Sequence, residues 1–221
     1  MFTLKKIAII LSGCGNRDGS ELRETLSLLL ALDRRGMQVQ CFAPDITFSV
    51  HSYLDPAGTE TGEKRQLLAE AARVARDGIL NLAEYRAADY DALALPGGMG
   101  AARNLSTFAT DGIQMTILPD VERAILETYD AHKPICAMCI APIVLAKVLG
   151  NHGITLTLGQ PCAASNAAEQ MGARHQCCQA TDVAVDQEHR IVTTPAYMVG
   201  TRISEIFDGA DNMVAELAKM L

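Results

Sequence analysis

The sequence predicts an α/β fold built on a mostly parallel sheet, and three observations carry that prediction. Short apolar runs alternate with helical patterns along the chain, beginning with residues 5–11, 21–35 and 39–43. Each of these runs ends at or beside Gly or Pro, and the first β-turn-α-turn-β unit closes within roughly fifty residues, which suits a parallel crossover. Finally, small-residue turns stand at the ends of three apolar runs, at Ser12-Gly13-Cys14-Gly15, at Pro96-Gly97-Gly98 and at Cys139. Open α/β sheets bind their ligands just beyond such strand ends.

Composition narrows the class. The chain has 221 residues, 49% of them hydrophobic, no Trp and a net charge of −7. That length suits one large domain with a sizeable core. The negative charge argues against a nucleic-acid partner and leaves no basic stripe for a membrane surface. No apolar run reaches membrane-spanning length. Residues 1–11 faintly imitate a signal peptide, but the apolar run is short and is followed by Gly and charge, so it reads as a first strand. The seven Cys have no disulfide-framework spacing, and a reducing cytoplasm is the expected setting.

The first helical pattern carries Leu22, Leu26, Leu29 and Leu30 at helical spacing, with Asp18 or Ser20 as its N-cap and Glu21 and Glu24 in its first turn. Gly36 stops it, and residues 39–43 form a second strand. The Gly13-x-Gly15-x-x-x-Gly19 turn has one residue too many for a dinucleotide fingerprint, so no nucleotide cofactor is expected there. Residues 46–62 lose periodicity, and residues 63–76 return to a helical pattern. The stretch 46–90 reads as a lid-like excursion, with nothing to hold a core alone. Residues 90–95 are the next strand and 119–131 an amphipathic helix. Residues 133–138 then form a strand that breaks at Cys139 into a helical pattern from Ile140 to Leu149. Beyond it come a strand at 154–158, a helix at 163–171, a hairpin pairing 183–185 with 191–193, and a last helix over 199–221.

Cys139 is the centre of the chemistry. A strand that turns into a helix at one nucleophilic residue has the geometry of a nucleophile elbow. The helix's free N–H groups and dipole are expected to lower the thiol pKa. Gly97 and Gly98 allow close approach of the backbone to a ligand and can present N–H donors. Asn104 reads as a polar contact or a surface cap, and Cys14 as a thiol in the first turn that can approach Cys139. Of the five His only His175 stays a weak candidate for an elbow base, and the five read better as solvent-facing or capping. The acid/base role therefore falls to a carboxylate, with Glu21 the best placed. Cys136 and Cys139 form a C-x-x-C, but Cys136 lies inside the strand and no second such pair supports zinc. No metal is expected.

These residues together resemble the ThiJ/PfpI superfamily of flavodoxin-like cysteine proteins, and within it the ElbB branch, described as isoprenoid biosynthesis proteins with an amidotransferase-like domain and assigned a glyoxalase activity. The motifs are Ser12-Gly13-Cys14-Gly15 with Asp18-Gly19-Ser20-Glu21, Pro96-Gly97-Gly98, Met138-Cys139-Ile140-Ala141-Pro142, and Thr193-Thr194-Pro195-Ala196-Tyr197-Met198. The resemblance implies a flavodoxin-like three-layer sandwich spanning residues 1–221. It places the nucleophile on Cys139, the carboxylate on Glu21 and the oxyanion donors on the backbone of Gly98 and of the Cys139–Ile140 turn. The implied activity is a cofactor-independent glyoxalase of low efficiency, acting on a small dicarbonyl substrate in a homodimer. In that scheme Glu21 carries a raised pKa and shares a proton with the thiol. The alternative is a redox-sensing or regulatory protein linked to isoprenoid biosynthesis.

Overall fold

The computed structural model describes residues 4–76 and 78–221. The first three residues of the stretch 1–11, read as a first strand, lie outside that range, as does Asp77 within the expected excursion. The chain runs β1 (Lys6–Ile10), α1 (Leu22–Asp33), β2 (Gln38–Ala43), β3 (Thr47–His51), β4 (Glu60–Gln66), α2 (Leu67–Ala75), β5 (Leu80–Asn81) and β6 (Ala92–Leu95). It continues with α3 (Met99–Arg103), α4 (Phe108–Asp111), α5 (Pro119–Asp130), β7 (Ile135–Met138), α6 (Pro142–Leu149), β8 (Thr155–Leu156), α7 (Ala163–Gln170) and β9 (Arg174–His175). The last elements are β10 (Ala184–Asp186), β11 (Ile191–Thr194) and α8 (Ile203–Lys219).

Seven strands form one sheet in the order β10-β11-β7-β6-β1-β2-β5. Every pairing is parallel except that of β10 with β11, which is the expected hairpin. β1, β6 and β7 are buried along nearly their whole length, which is why they read as apolar runs and not as alternating ones. α1 and α8 pack on each other, with α8 against β7 and β11, while α5 packs on β6 and β7 and against α6. This is the flavodoxin-like, amidotransferase-like architecture, with helices on both sides of the sheet.

The sheet order positions the site. From β1 the chain moves outward to β2 on one side and later returns to β6 on the other, so the order reverses beside β1. Register aligns Ile9 with Ala94 and Leu95 with Ala137, so the carboxyl ends of β1, β6 and β7 stand side by side. The loops that leave those ends carry Ser12 to Glu21, Gly97 and Gly98, and Cys139.

Two parts differ from expectation. Residues 47–66 are a β-hairpin, where periodicity suggested an irregular stretch running into a helix. Every residue of β4 is exposed, so the strand has no apolar alternation to read. The hairpin is tied to the β1–α1 loop instead: buried Asp18 accepts from the His51 N–H at 2.8 Å and the Tyr53 hydroxyl at 2.9 Å. Asp18 is therefore not the cap of α1. Glu21 is, its Oε2 accepting from the Glu24 N–H at 2.7 Å, while Ser20 Oγ accepts from the Ser12 N–H at 2.9 Å.

Candidate active site

Cys139 sits at the tip of β7 with φ of +60°, the left-handed region that a non-glycine residue rarely enters. Its N–H donates to the Thr194 carbonyl at 2.9 Å, continuing the β7–β11 ladder by one residue and fixing the bend. α6 begins only at Pro142, whose ring suits a first helical position. The thiol therefore stands beside a short turn, one turn short of the helix, and not at the helix terminus itself. The N–H groups that reach the sulfur are those of Gly98 and Ile140.

The carboxylate that meets the thiol is Glu24. It is completely buried on the third residue of α1, and its carboxyl lies against the Cys139 side chain. Oε1 accepts from the Tyr197 N–H at 3.3 Å. Oε2 has no hydrogen bond of ordinary geometry and faces the thiol and the Gly97 N–H. Gly97 is the residue that lets the two meet. A Cβ there would lie 2.3 Å from the Cys139 Cβ and 2.4 Å from Glu24 Oε2, so only a hydrogen fits. Gly98, with φ of +98°, likewise admits no Cβ, because one would stand 2.4 Å from the Glu21 nitrogen.

Electrostatics follow from burial. Loss of solvent pushes the Glu24 carboxyl up to about 8, with the neighbouring Glu21 charge adding to the shift and the thiol opposing it. Burial, and then the Glu24 charge, push the Cys139 thiol well above the ordinary thiol range against the lowering pull of the two N–H groups. This corrects the expectation of a depressed thiol pKa: a thiol only 8% exposed beside a carboxyl pays more for its charge than two donors return. Both groups are protonated at pH 7, and the carboxyl, at about 8, ionises before the thiol.

The remaining candidates divide. Glu21 stands at the pocket rim, but its carboxylate is committed to capping α1, and the structure does not bring it to the sulfur. Gly97, Gly98 and Ile140 lie around the thiol. Asn104 does not: its Nδ2 donates to the Ser12 and Asp18 carbonyls at 3.0 and 2.8 Å, bracing the loop from behind. Cys14 is half-buried within reach of the charges of Glu70 and Arg73 of α2, and burial raises its thiol. Cys136 is buried inside β7, where desolvation pushes it up to about 12. Among the His, His51 is buried and faces Arg103, contrary to the solvent-facing expectation. His152 and His189 stack around Tyr129. Among the described residues no group of three or more His, Cys, Asp or Glu side chains is placed to hold a metal ion.

A cavity of about 670 Å³ opens over the thiol, walled by Asn16, Leu22, Arg23, Met99, Tyr197 and Met198. Arg23 Nη1 donates to the Tyr197 hydroxyl at 3.2 Å across its mouth. Sequence reading passed over Glu24, Arg23 and Asn16 as site residues. A signal for Glu24 exists, since it falls on the stripe of Leu28, Ala31 and Leu32 that α1 actually buries.

No family model matches the chain. Curated relatives do. A protein of Rattus norvegicus named ES1 protein homolog, mitochondrial, is 41% identical over 97% of this chain and 84% of its own length. Glutamine amidotransferase-like class 1 domain-containing protein 3, mitochondrial, of Homo sapiens is 40% identical over 97% of this chain and 83% of its own. The crystal structure of an isoprenoid biosynthesis protein with amidotransferase-like domain from Ehrlichia chaffeensis superposes with a TM-score of 0.90 at 33% identity, covering 98% of this chain and all of that one. A DJ-1 superfamily protein of Salmonella typhimurium, 22% identical with a TM-score of 0.59 over 98% of this chain and 91% of its own, shares the fold. Both curated relatives and a third, ES1 protein of Danio rerio, carry mitochondrial names, which overturns the cytoplasmic expectation. Unpaired thiols mark a reducing compartment without saying which. The chain belongs to the ES1 family of glutamine amidotransferase-like class 1 domain proteins.

Proposed function

We propose that the chain is a cofactor-independent glyoxalase, converting methylglyoxal or glyoxal and water into lactate or glycolate, with Cys139 as nucleophile and Glu24, in place of Glu21, as the acid and base. The observation that carries this reading is a buried carboxyl, pushed up to about 8, held against a thiol that two backbone N–H groups also face. A proton carrier that is neutral at pH 7 and an adjacent nucleophile are what an aldehyde addition followed by a carbon-to-carbon proton transfer needs.

The pair enters the reaction after releasing one proton from Glu24, and the carboxylate then takes the thiol proton as the sulfur attacks, so that thiolate stands beside neutral carboxyl only at that moment. The sulfur attacks the aldehyde carbon, forming the C–S bond, and the carbonyl oxygen takes the Glu24 proton. The Gly98 and Ile140 N–H groups hold that oxygen as charge develops on it. Glu24, now ionised, removes the hydrogen of the same carbon as a proton, and the electron pair left behind makes an enediolate with the neighbouring carbonyl. The hydroxyl proton passes between the two oxygens, Glu24 returns its proton to the second carbon, and the first becomes a thioester carbonyl. Water then cleaves the C–S bond. One carbon is oxidised and its neighbour reduced, so no outside oxidant or reductant enters.

Amidotransfer from glutamine is not favoured, because no His among the described residues lines the pocket. The test of the glyoxalase reading is lactate formed from methylglyoxal, with the thioester on Cys139 trapped by acid quench and located by peptide mass spectrometry. Lactate formation undiminished in Cys139→Ala would sink the reading. A homodimer remains our proposal. Leu26 and Ile203, 54% and 59% exposed, lie on an apolar face beside the pocket mouth. Leu26→Glu should lower the mass found by sedimentation equilibrium, and a monomer in the unsubstituted protein would end the idea. A mitochondrial location is carried over from the names of the relatives, to be checked by imaging the tagged chain.

A further inference from the structure

A second cavity, of about 550 Å³, lies between the β3–β4 hairpin and the α3–α4 segment and shares no lining residue with the pocket over Cys139. Its walls are apolar at Ile46, Phe48, Ile117 and Leu118 and carry hydroxyls at Thr47, Thr107 and Thr116. One cation faces it. Arg103, at the end of α3, makes no ion pair with any described residue, and its hydrogen bond is to an imidazole: Nη1 lies 2.6 Å from His51 Nε2. A guanidinium has donors only, so Nε2 accepts. The ring proton then sits on Nδ1, 3.2 Å from the Ser49 carbonyl, which fixes the tautomer and the ring plane. His51 is 7% exposed, and its own N–H is anchored on Asp18, so the imidazole is a rigid post.

This is an unusual use of arginine. A surface guanidinium finds a carboxylate or stays in water, whereas this one is held by a buried neutral acceptor that cancels none of its charge. Its remaining N–H groups form the planar fork that suits a carboxylate or phosphate. Glu60 also lines the cavity, on the exposed strand β4 opposite His51. It opposes an anion through solvent and does not neutralise Arg103 by contact.

We propose that this cavity is a binding site for a small oxyanion-bearing molecule, a carboxylate or a phosphate with a short apolar body, held by Arg103 on the His51 post. The site is independent of the chemistry assigned to Cys139, and its test does not use turnover.

The test is titration calorimetry of the full chain, in a buffer free of oxyanions, with inorganic phosphate in one arm and butanoate in the other. Arg103 is exposed, so Arg103→Gln should fold normally, and circular dichroism checks that it does. Binding in either arm should weaken at least about tenfold in Arg103→Gln, the loss expected for a charge-assisted hydrogen bond. Glu60→Gln should tighten binding by roughly threefold through lost repulsion. The arm that binds identifies the headgroup. Absence of binding in both arms would overturn the proposal, as would binding that Arg103→Gln leaves unchanged.

Discussion

Glu24→Gln replaces a buried carboxyl by a neutral group of the same shape, and its consequence for stability is computable. In the unfolded chain Glu24 titrates at 4.5, and in the folded chain at about 8. Between those values the folded state holds a proton that the unfolded state has released, so stability falls as pH rises from 4.5 through 8 and is flat above. The full shift corresponds to about 5 kcal/mol at roughly 1.4 kcal/mol per pH unit. The carboxyl has no solvent exposure to discount it. Between pH 5.5 and 8.5 the part recovered is about 3 kcal/mol. The Cys139 thiol adds nothing in this window, because both its folded and unfolded values lie at or above 9.0. Urea unfolding of both proteins at pH 5.5, 7.0 and 8.5 therefore gives a difference that changes with pH. Glu24→Gln should gain about 3 kcal/mol on the original chain from the lowest pH to the highest. Parallel stability–pH curves would refute the account, for they would mean that Glu24 ionises in the folded protein as it does in water.

Three other outcomes follow from the same geometry. Alkylation of Cys139 by iodoacetamide should be slow at pH 7 and rise close to tenfold per pH unit up to pH 9, since burial and Glu24 hold the thiol above its ordinary range; a plateau below pH 8 in the rate at this residue would contradict that. Gly97→Ala forces a methyl between the Cys139 Cβ and Glu24 Oε2 and should destabilise by about 3 kcal/mol with loss of turnover, read by thermal unfolding and lactate assay. Glu21→Ala removes the N-cap of α1 and should cost about 1 kcal/mol at every pH from 6 to 9, whereas a pH-dependent loss would tie Glu21 to the thiol instead.

The places where sequence and structure part have physical causes. The elbow, the Gly97-Gly98 turn and the sheet class were legible because β1, β6 and β7 are buried on both faces and end at small residues. The carboxyl beside the thiol was misplaced because α1 is apolar around most of its circumference. Leu22, Leu26 and Leu30 suggest a buried stripe, yet they are 41%, 54% and 43% exposed. The stripe that packs inward runs through Leu28, Ala31 and Leu32, and phasing the helix on those residues puts Glu24 against the sheet end and leaves Glu21 to cap. The β3–β4 hairpin was illegible for the opposite reason, since its second strand buries nothing. Its anchors are single polar side chains, Asp18 and Arg17, the latter donating to the Ser52 and Asp55 carbonyls, and spacing along the chain does not announce such bonds. The thiol's pKa was misjudged because helix start and elbow were taken as one point, whereas Pro142 sets α6 three residues beyond Cys139.

The central claim is that Glu24 and not Glu21 moves the proton beside Cys139. Initial rates of lactate formation from methylglyoxal, measured in parallel for the original chain, Glu24→Gln and Glu21→Gln at pH 8, test it most directly. The account predicts a loss of about a hundredfold or more for Glu24→Gln and less than about tenfold for Glu21→Gln. The reverse order, or equal losses in the two variants, would contradict it.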